Sequence, residues 1–543
     1  MPDLVGPQSV GVEQSGWLSR ALSDPERGRV LAGLLVLFVL RVVYLRICRL
    51  DLVPDEAYYW DWSRQLDWNY YSKPPLIAWL IALATTVGGD SEFSIRLPAA
   101  ALGTLGLWGV YELGRHLYSH QAGVWAAAIV VASPGMTALC LLMTIDAPFL
   151  LFWTLAVYCL WRMLESREPD DRWVLPAILA TGAALLTKQS ALGLFPLTLL
   201  FLSMEKTDRT KFRSPALWQW LIGSTACLLP IVWWNSTHGW IMLGHTRDHF
   251  APRSVTILHH LASFMEFLVV QFGILSPIIC GQLLVVTAVL LTRIVRLPRR
   301  ERFLLCFGGL PLVAVTALSF VQRVQPNWAV ALHLTGVILL AAWSCGEISL
   351  SPRLDAWRRL VPAGVGLGTV ISVCVAFAPF VIPASPLVGS NFDPTIRLRG
   401  WKELGRQVAN TLNSFPHADD ILVVAATPRG PVSELSYYLP DKPRVYRWNV
   451  GGVIDSQHDI WGGPKDGAGR DALILTDGQA ELPIPLANAF ATIEELTPAE
   501  VVIGRNRTRQ YRLWRGTSLR VWPESTPSKP VVAIRSLQES QEL

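Results

Sequence analysis

Two adjacent carboxylates, Asp55 and Glu56, stand just past an apolar run in the stretch Pro54-Asp55-Glu56-Ala57-Tyr58-Tyr59-Trp60. Acidic side chains beside lipid are costly, and they are kept there to do chemistry or to hold an ion. An adjacent pair can supply a general base and a holder for substrate or metal. In a low-dielectric cleft the two cannot both ionise easily, which drives their pKa values apart. Asp55 is also suited to cap a helix that starts at the aromatic run behind it. Lys73, in Ser72-Lys73-Pro74-Pro75, precedes a proline-started apolar segment. It is placed either for a phosphate at headgroup level or for snorkelling at the interface.

Asp146 is an isolated acid in Met143-Thr144-Ile145-Asp146-Ala147-Pro148, positioned to cap the helix that Pro148 would start and to act in a site. Lys188 lies in a broken hairpin between two short apolar runs, where a lysine must line water or meet an anion. A Trp-rich stretch, Trp233-Trp234-Asn235, leads into His238, His245, Arg247, His249 and Arg253, groups that could face a sugar or a diphosphate. Gln322-Arg323-Val324-Gln325-Pro326-Asn327-Trp328 offers amides, an arginine and an indole, of which Gln325 and Asn327 are the candidate sugar contacts. The histidines His238, His245, His249, His259 and His260 are irregularly spaced, so no metal ligand set is assigned, and a divalent cation stays only a possibility.

The elements that must position these groups are membrane spans. The chain has 543 residues, 51% hydrophobic and only 16% charged; a soluble protein carries roughly 25% charged residues. Mean hydropathy is +0.34. A net charge of +5 is small for this length and does not suggest nucleic acid. Eight cysteines, seven of them in apolar runs and none in CxxC spacing, are expected as small buried hydrophobes.

A spanning helix needs about 20 apolar residues. Eleven runs qualify, near 28–49, 95–115, 121–140, 147–165, 173–188, 190–204, 215–234, 269–292, 303–321, 327–345 and 358–381, with 1–27 a cytoplasmic N-terminal segment. Residues 74–87 are too few to cross and are expected to form an interfacial helix. With that choice, alternate loops separate into a basic set and a sparse set. The basic set includes Arg115, Arg162, Arg167, Arg172, Lys206, Arg209, Arg299, Arg300, Arg353 and Arg358. By the positive-inside rule it is cytoplasmic. The Asp55 loop (50–94), Asp146, Lys188, the expected outer loop 235–268 and Gln322–Asn327 then share the opposite face. Arg41, Arg46 and Arg49 break the rule; they are expected to snorkel or to meet a lipid phosphate beside Asp55.

From about residue 391 the composition turns polar. Runs at 420–426, 444–448, 471–476 and 511–514 have strand character and 433–438 helical character. A small α/β domain over 391–543 is expected on the same side as Asp55, following a membrane domain over 28–385.

Together the motifs resemble the bacterial GT-C glycosyltransferases of the protein mannosyltransferase and ArnT-like superfamily (glycosyltransferase family 39-like). The matching pieces are Asp55-Glu56-Ala57-Tyr58-Tyr59, Ser72-Lys73-Pro74-Pro75-Leu76, Gly89-Asp90-Ser91-Glu92-Phe93-Ser94-Ile95-Arg96-Leu97-Pro98, Thr144-Ile145-Asp146, Leu186-Thr187-Lys188, Trp233-Trp234-Asn235 with His238-Gly239-Trp240, and Pro326-Asn327-Trp328. Ser456-Gln457-His458-Asp459-Ile460-Trp461 is similar to the outer domain of bacterial members.

The resemblance implies a GT-C fold of about 11 transmembrane helices with periplasmic interfacial helices, in a bacterial inner membrane, with the active site and C-terminal domain extracytoplasmic. It implies a polyprenyl-phosphate sugar as donor and a glycolipid, glycan or protein hydroxyl as acceptor. Asp55, with Glu56 and Asp146, is implied at the reacting centre. Lys73, with Lys188 and Arg247, would meet the lipid phosphate. Tyr58, Tyr59, His238, Gln325 and Asn327 would position substrate. ArnT-like members carry Glu where this chain has Ser72, which argues against a shared metal. A single displacement with Asp55 as base would invert the anomeric centre. The competing classes are a polytopic transporter or flippase, which would show repeats and midplane charges, and an inactive sugar-lipid binding protein.

Overall fold

The computed structural model describes residues 24–165, 171–249, 256–417, 420–505 and 507–523. Most of the N-terminal segment, Arg167, Arg253 and the last 20 residues of the polar tail lie outside them. The protein is an integral membrane protein. Eight described helices are long and apolar enough to cross a bilayer: Pro25–Ile47, Glu92–Leu117, Asp146–Leu164, Pro215–Thr237, Ile257–Leu275, Arg299–Val321, Pro326–Ser344 and Pro352–Ala384. Four shorter apolar helices, Leu76–Gly88, His120–Ala132, Gln189–Ser203 and Pro277–Leu291, accompany them.

Small residues let the helices approach closely, as packing in lipid requires. At the crossing of Glu92–Leu117 with His120–Ala132, a Cβ on Gly123 would lie 2.6 Å from the Tyr111 carbonyl oxygen. Only glycine fits there.

Ionic contacts sort the bundle into two ends. One end holds Arg27–Glu112 (2.6 Å), Arg115–Asp24 (3.0 Å), Arg299–Asp208 (2.9 Å) and Arg302–Glu205. The other holds the Asp55 loop, Asp146, Lys188 and Asn327, joined by the contacts described below. The charge-based division of loops is therefore reproduced in space. Leu76–Gly88 is 13 residues long, or about 20 Å. Its first amide donates to Leu186 O (3.0 Å) and its last carbonyl accepts from Ser94 Oγ (2.9 Å), so both ends lie at the Asp55 end and the helix does not cross.

One expected span is corrected. Residues 269–292 are not one helix with a loop before it. Ile257–Leu275 and Pro277–Leu291 are separated by Ser276, whose φ of 75° breaks the helix. Glu266 meets Arg323 (2.8 Å) and Gln271 donates to Pro326 O (3.3 Å) near one end, while Gln282 donates to Trp357 O (3.1 Å) toward the other. The two helices form one broken traverse, and residues 257–268, read as the end of the outer loop, belong to its first half. His259, His260 and Glu266 had disguised that half as polar.

The basic residues of the first helix are also corrected. Arg41 does not snorkel: it is buried and donates to Thr104 Oγ1 (2.9 Å). Arg46 covers the Phe93 ring at 3.6 Å. Neither reaches Asp55.

The polar tail forms one six-stranded sheet of order β2-β1-β3-β6-β4, with β5 on β6. β1 (Leu422–Ala426), β2 (Val445–Arg447) and β3 (Ala472–Asp477) are parallel and were expected; β6 (Arg507–Leu519) is longer than expected. β4 (Phe490–Glu495) and β5 (Ala499–Gly504) are additional antiparallel strands. β4 is exposed along most of its length, whereas β5 alternates, burying Ala499, Val501 and Ile503. β1 and β3 are buried on both faces, as parallel strands are. The helices Trp401–Leu412 and Arg429–Tyr438 cover one face.

This domain sits directly on the Asp55 loop. Trp60 packs edge-on against Tyr437 (4.9 Å), the Tyr438 hydroxyl accepts from Leu52 N (2.8 Å), and Gly430 faces Pro54. Glu434 is buried in this contact and neither carboxylate oxygen has a partner among the described residues. Burial first, then Asp51 and Glu56, push its pKa well above the ordinary value of 4.5. The folded state therefore holds that proton more tightly than the unfolded chain, and stability is lost as pH rises above 4.5. Glu434→Gln removes this penalty. The variant is expected to melt about 2–4 °C above wild type at pH 8, the shift of roughly 1 kcal/mol, with the difference vanishing near pH 4.5; a thermal melt at the two pH values checks it.

Candidate active site

The helix Pro54–Ser63 starts with Pro54 in its first turn, where a missing N–H costs nothing. Its cap is not Asp55. Glu56 reaches back to accept from Val53 N (3.1 Å), which leaves Asp55 free to face outward. Glu56 is completely buried and accepts Arg96 Nη2 (2.7 Å), Arg96 Nε (3.0 Å) and Met143 N (2.8 Å). Arg96 also donates to the carbonyls of Leu50 (3.0 Å) and Asp51 (2.7 Å). Glu56, expected at the reacting centre, is thus corrected to a structural anchor: every lone-pair direction it offers is engaged.

The Asp55 side chain keeps 40% of its surface exposed and pairs with Arg429 Nη2 at 3.0 Å. Arg429 comes from the α/β domain and its guanidinium also lies 4.7 Å from the Tyr58 ring centroid. Opposite, Asp146 is buried with Lys188 Nζ at 3.0 Å from Oδ1 and Asn327 Nδ2 at 2.9 Å from Oδ2. It is the first residue of its helix rather than the cap. This arrangement satisfies Asp146 and Lys188 with one another and fixes three traverses at one point.

The half-buried Lys73 ammonium has no hydrogen bond or ion pair among the described residues, while its carbonyl accepts from Tyr70 N (3.3 Å). Burial lowers its pKa to about 8, with Lys188 and Arg429 pressing in the same direction and Asp55 and Asp146 opposing them. Lys73 therefore lies within electrostatic reach of all four charged groups. Its loop is held by Gln189 Nε2, which donates to Ser72 O (2.9 Å), and by Leu76 N on Leu186 O (3.0 Å). The buried Tyr59 hydroxyl has no hydrogen-bond partner among the described residues, and Asp55 and Asp146 are both close enough to act on it electrostatically.

The remaining candidates, Arg247, His238, Gln325 and Tyr58, make no hydrogen bond or ion pair with Asp55, Lys73 or Asp146 among the described residues. Arg247 is 84% exposed and pairs loosely with Asp248 (3.6 Å). His238 closes its own helix: it stacks on Trp234 (4.0 Å) with Nδ1 on Trp234 O (2.8 Å). Gln325 is exposed. Tyr58 is buried beneath the α/β domain, its hydroxyl accepting from Gln457 N (2.6 Å). No group of three or more His, Cys, Asp or Glu among the described residues could hold a metal ion. His245 instead shares a hydrogen bond with the Tyr71 hydroxyl (3.1 Å).

Sequence reasoning missed Arg429 and Arg96. Arg96 stood inside a quoted motif, and its signal was an arginine in an otherwise apolar helix. Arg429 had no signal, because it arrives from 374 residues away. The quoted motif around His458 proves to be the clasp. Gln457 Oε1 accepts from Tyr71 N (2.7 Å), and buried His458 lies between Asp61 (3.6 Å) and Ser433 (3.0 Å). Burial and the neighbouring arginines hold His458 well below its ordinary pKa, and burial pushes Asp61 up to about 6.

With this geometry in place, similarity to known proteins is informative. The family described as dolichyl-phosphate-mannose-protein mannosyltransferase matches residues 72–234. A lipid A galacturonosyltransferase of Rhizobium johnstonii is 27% identical over 82% of this chain and 91% of its own. An undecaprenyl phosphate-4-amino-4-deoxy-arabinose arabinosyl transferase of Pseudomonas fluorescens is 26% identical over 29% of this chain and 30% of its own. The crystal structure of ArnT from Cupriavidus metallidurans superposes with a TM-score of 0.54 at 15% identity, covering 89% of this chain and 98% of that one. The fold is therefore GT-C. The chain is an enzyme, a glycosyltransferase similar in sequence to named galacturonosyl- and arabinosyltransferases.

Removing Arg96 tests the anchor beneath the site. Arg96→Leu leaves Glu56 buried and unpaired and is expected to cost about 3–5 kcal/mol, read as a collapse of the melting transition of the purified protein in detergent.

Proposed function

We propose that the protein transfers one sugar from a polyprenyl-phosphate donor to a hydroxyl of a lipid-linked acceptor. The reaction takes place on the face of a bacterial inner membrane opposite the basic loops. The observation that carries this is the pairing of a half-buried Lys73, whose ammonium has no partner among the described residues, with an accessible Asp55 beside an apolar helix. Lys73 is a cation awaiting an anion, and Leu76–Gly88 brings it to headgroup depth. The relatives' substrates support the donor class: named arabinosyl transferases use undecaprenyl phosphate carriers, and one ArnT structure is bound to undecaprenyl phosphate. The galacturonosyltransferase acts on lipid A, which supports a glycolipid acceptor over a protein or free glycan.

In this reading the donor phosphate sits against Lys73. Arg429 is close enough to exchange its partner Asp55 for that phosphate, which would free the carboxylate as donor binds. The acceptor O–H gives its proton to Asp55. Its oxygen forms the bond to the anomeric carbon from the face opposite the phosphate. The bond from that carbon to the phosphate oxygen breaks, and the electron pair leaves on the polyprenyl phosphate, where Lys73 and Arg429 stabilise it. The anomeric centre inverts. Asp146, Lys188 and Asn327 act by holding the cleft walls, and Tyr59 offers its hydroxyl to the sugar.

The donor set does not suit a resident divalent cation. Position 72 supplies a buried hydroxyl instead of a carboxylate, Asp146 is already matched by Lys188 and Asn327, and His245 is engaged by Tyr71. No step is routed through a metal.

Asp55→Asn is expected to lower transfer about 10²–10⁴-fold while donor binding persists, measured with purified enzyme and a polyprenyl-phosphate sugar; unchanged turnover would remove Asp55 as base. In the same assay, EDTA-dialysed wild type is expected to keep its rate, and a loss restored by Mg²⁺ or Mn²⁺ would reinstate the cation. Because Lys73 must be charged to bind phosphate, affinity for polyprenyl phosphate is expected to fall as pH rises through about 8. Lys73→Arg should flatten that dependence in a titration of binding against pH.

A further inference from the structure

The α/β domain contains a cavity of about 240 Å³ that the transfer chemistry does not use. Its walls include Arg444, Tyr446, Trp461, Lys465, Asp466 and Arg470. The size is below the roughly 300–1,000 Å³ of drug-sized sites, the scale of a single sugar ring. Three cations face it against one acid. Two aromatic rings stand among them, offering the flat apolar surface that suits the C–H face of a pyranose.

The walls are built rather than incidental. The Arg444 guanidinium lies 5.2 Å from the Tyr446 ring centroid and 5.7 Å from that of Trp461, and donates to Trp461 O (3.3 Å). Arg470 is oriented by Asp420, through its carboxylate and its carbonyl, both at 2.9 Å. The turn after Trp461 is pinned by Trp522: a Cβ on Gly463 would lie 2.4 Å from that indole, so only glycine lets the ring close over the turn.

The cavity is also coupled to the active site. Trp461 ends the helix Gln457–Trp461, and its ring meets His458 edge-on at 5.5 Å. The other end of that helix carries Gln457 and His458, which clasp Tyr58, Tyr71 and Asp61 of the catalytic loop. Only ~6 Å of helix separates the two contacts.

We infer that this cavity is a subsite for an anionic sugar of the acceptor, one bearing a phosphate or carboxylate, held some distance from the hydroxyl that reacts. Guanidinium groups bind both anions bidentately, and Lys465 adds a point charge at the rim. The assignment as acceptor subsite rests on the glycosyl-transfer reading; the recognition of an anionic sugar does not.

The test is calorimetric titration of the full-length protein in detergent with a deacylated glucosamine disaccharide bisphosphate. Its dephosphorylated form and a hexuronic acid oligosaccharide serve as comparison arms. The bisphosphate, the uronate or both should bind, and the neutral disaccharide at least tenfold more weakly; which anion binds tighter separates phosphate from carboxylate. Lys465→Glu, at an exposed position that should not disturb folding, and Arg444→Gln should each weaken anionic binding at least tenfold and raise KM for an anionic acceptor. Neither should change affinity for polyprenyl phosphate. Binding unaffected by either variant, equal binding of the neutral sugar, or no binding of any probe overturns the subsite. A wild type that binds the anionic probe through these residues, yet never transfers a sugar, overturns the transfer reading and leaves the subsite standing.

Discussion

The buried ion pair between Glu56 and Arg96 is the constraint on which the rest of the site depends. A carboxylate with no exposure survives only if its charge and all its lone pairs are met. Here one arginine and two backbone amides meet them. The consequence is geometric. The pair ties the Asp55 loop to the helix Glu92–Leu117 and to the turn before Asp146, and Asp55, the next position round the same helix, is left to face a different partner. Glu56 is turned inward to hold the scaffold, and Asp55 is turned outward with a partner that can be exchanged.

A second constraint comes from the α/β domain. It buries the aromatic residues of the Asp55 loop and supplies Arg429 to the cleft. A soluble domain of this kind is easily read as an appendage. The contacts of Tyr58, Tyr71 and Asp61 with Gln457 and His458 make it part of the candidate site's wall. Glu434, buried without a partner in the same contact, is a cost carried by this docking.

The cleft is organised by unequal charge satisfaction. Asp146 and Lys188 neutralise one another and, with Asn327, tie together traverses distant in sequence. Lys73 is left without a counter-ion beside them. On the proposed reading a lipid phosphate would complete that cation, whereas the satisfied pair beside it offers little to an incoming ligand.

Much of this protein was legible in its residues. The membrane character, the interfacial nature of residues 74–87 and the division of loops into two faces follow from hydropathy, length and charge, which are local or additive properties. The parallel strands of the outer domain were visible because strands buried on both faces are continuous apolar runs; β4, exposed along most of its length, and β5, a short alternating strand, were not. The first half of the broken traverse 257–291 was hidden because His259, His260 and Glu266 make it read as polar, and Glu266 finds its partner Arg323 only across the bundle. The motifs located Asp55, Lys73 and Asp146, but residue type alone could not tell a base from an anchor. Whether Glu56 caps and pairs or reacts, whether Arg247 reaches the cleft, and that Arg429 does, are decided by which groups the fold brings within hydrogen-bonding distance. Those partners lie tens to hundreds of residues apart, and only the tertiary structure sets them side by side.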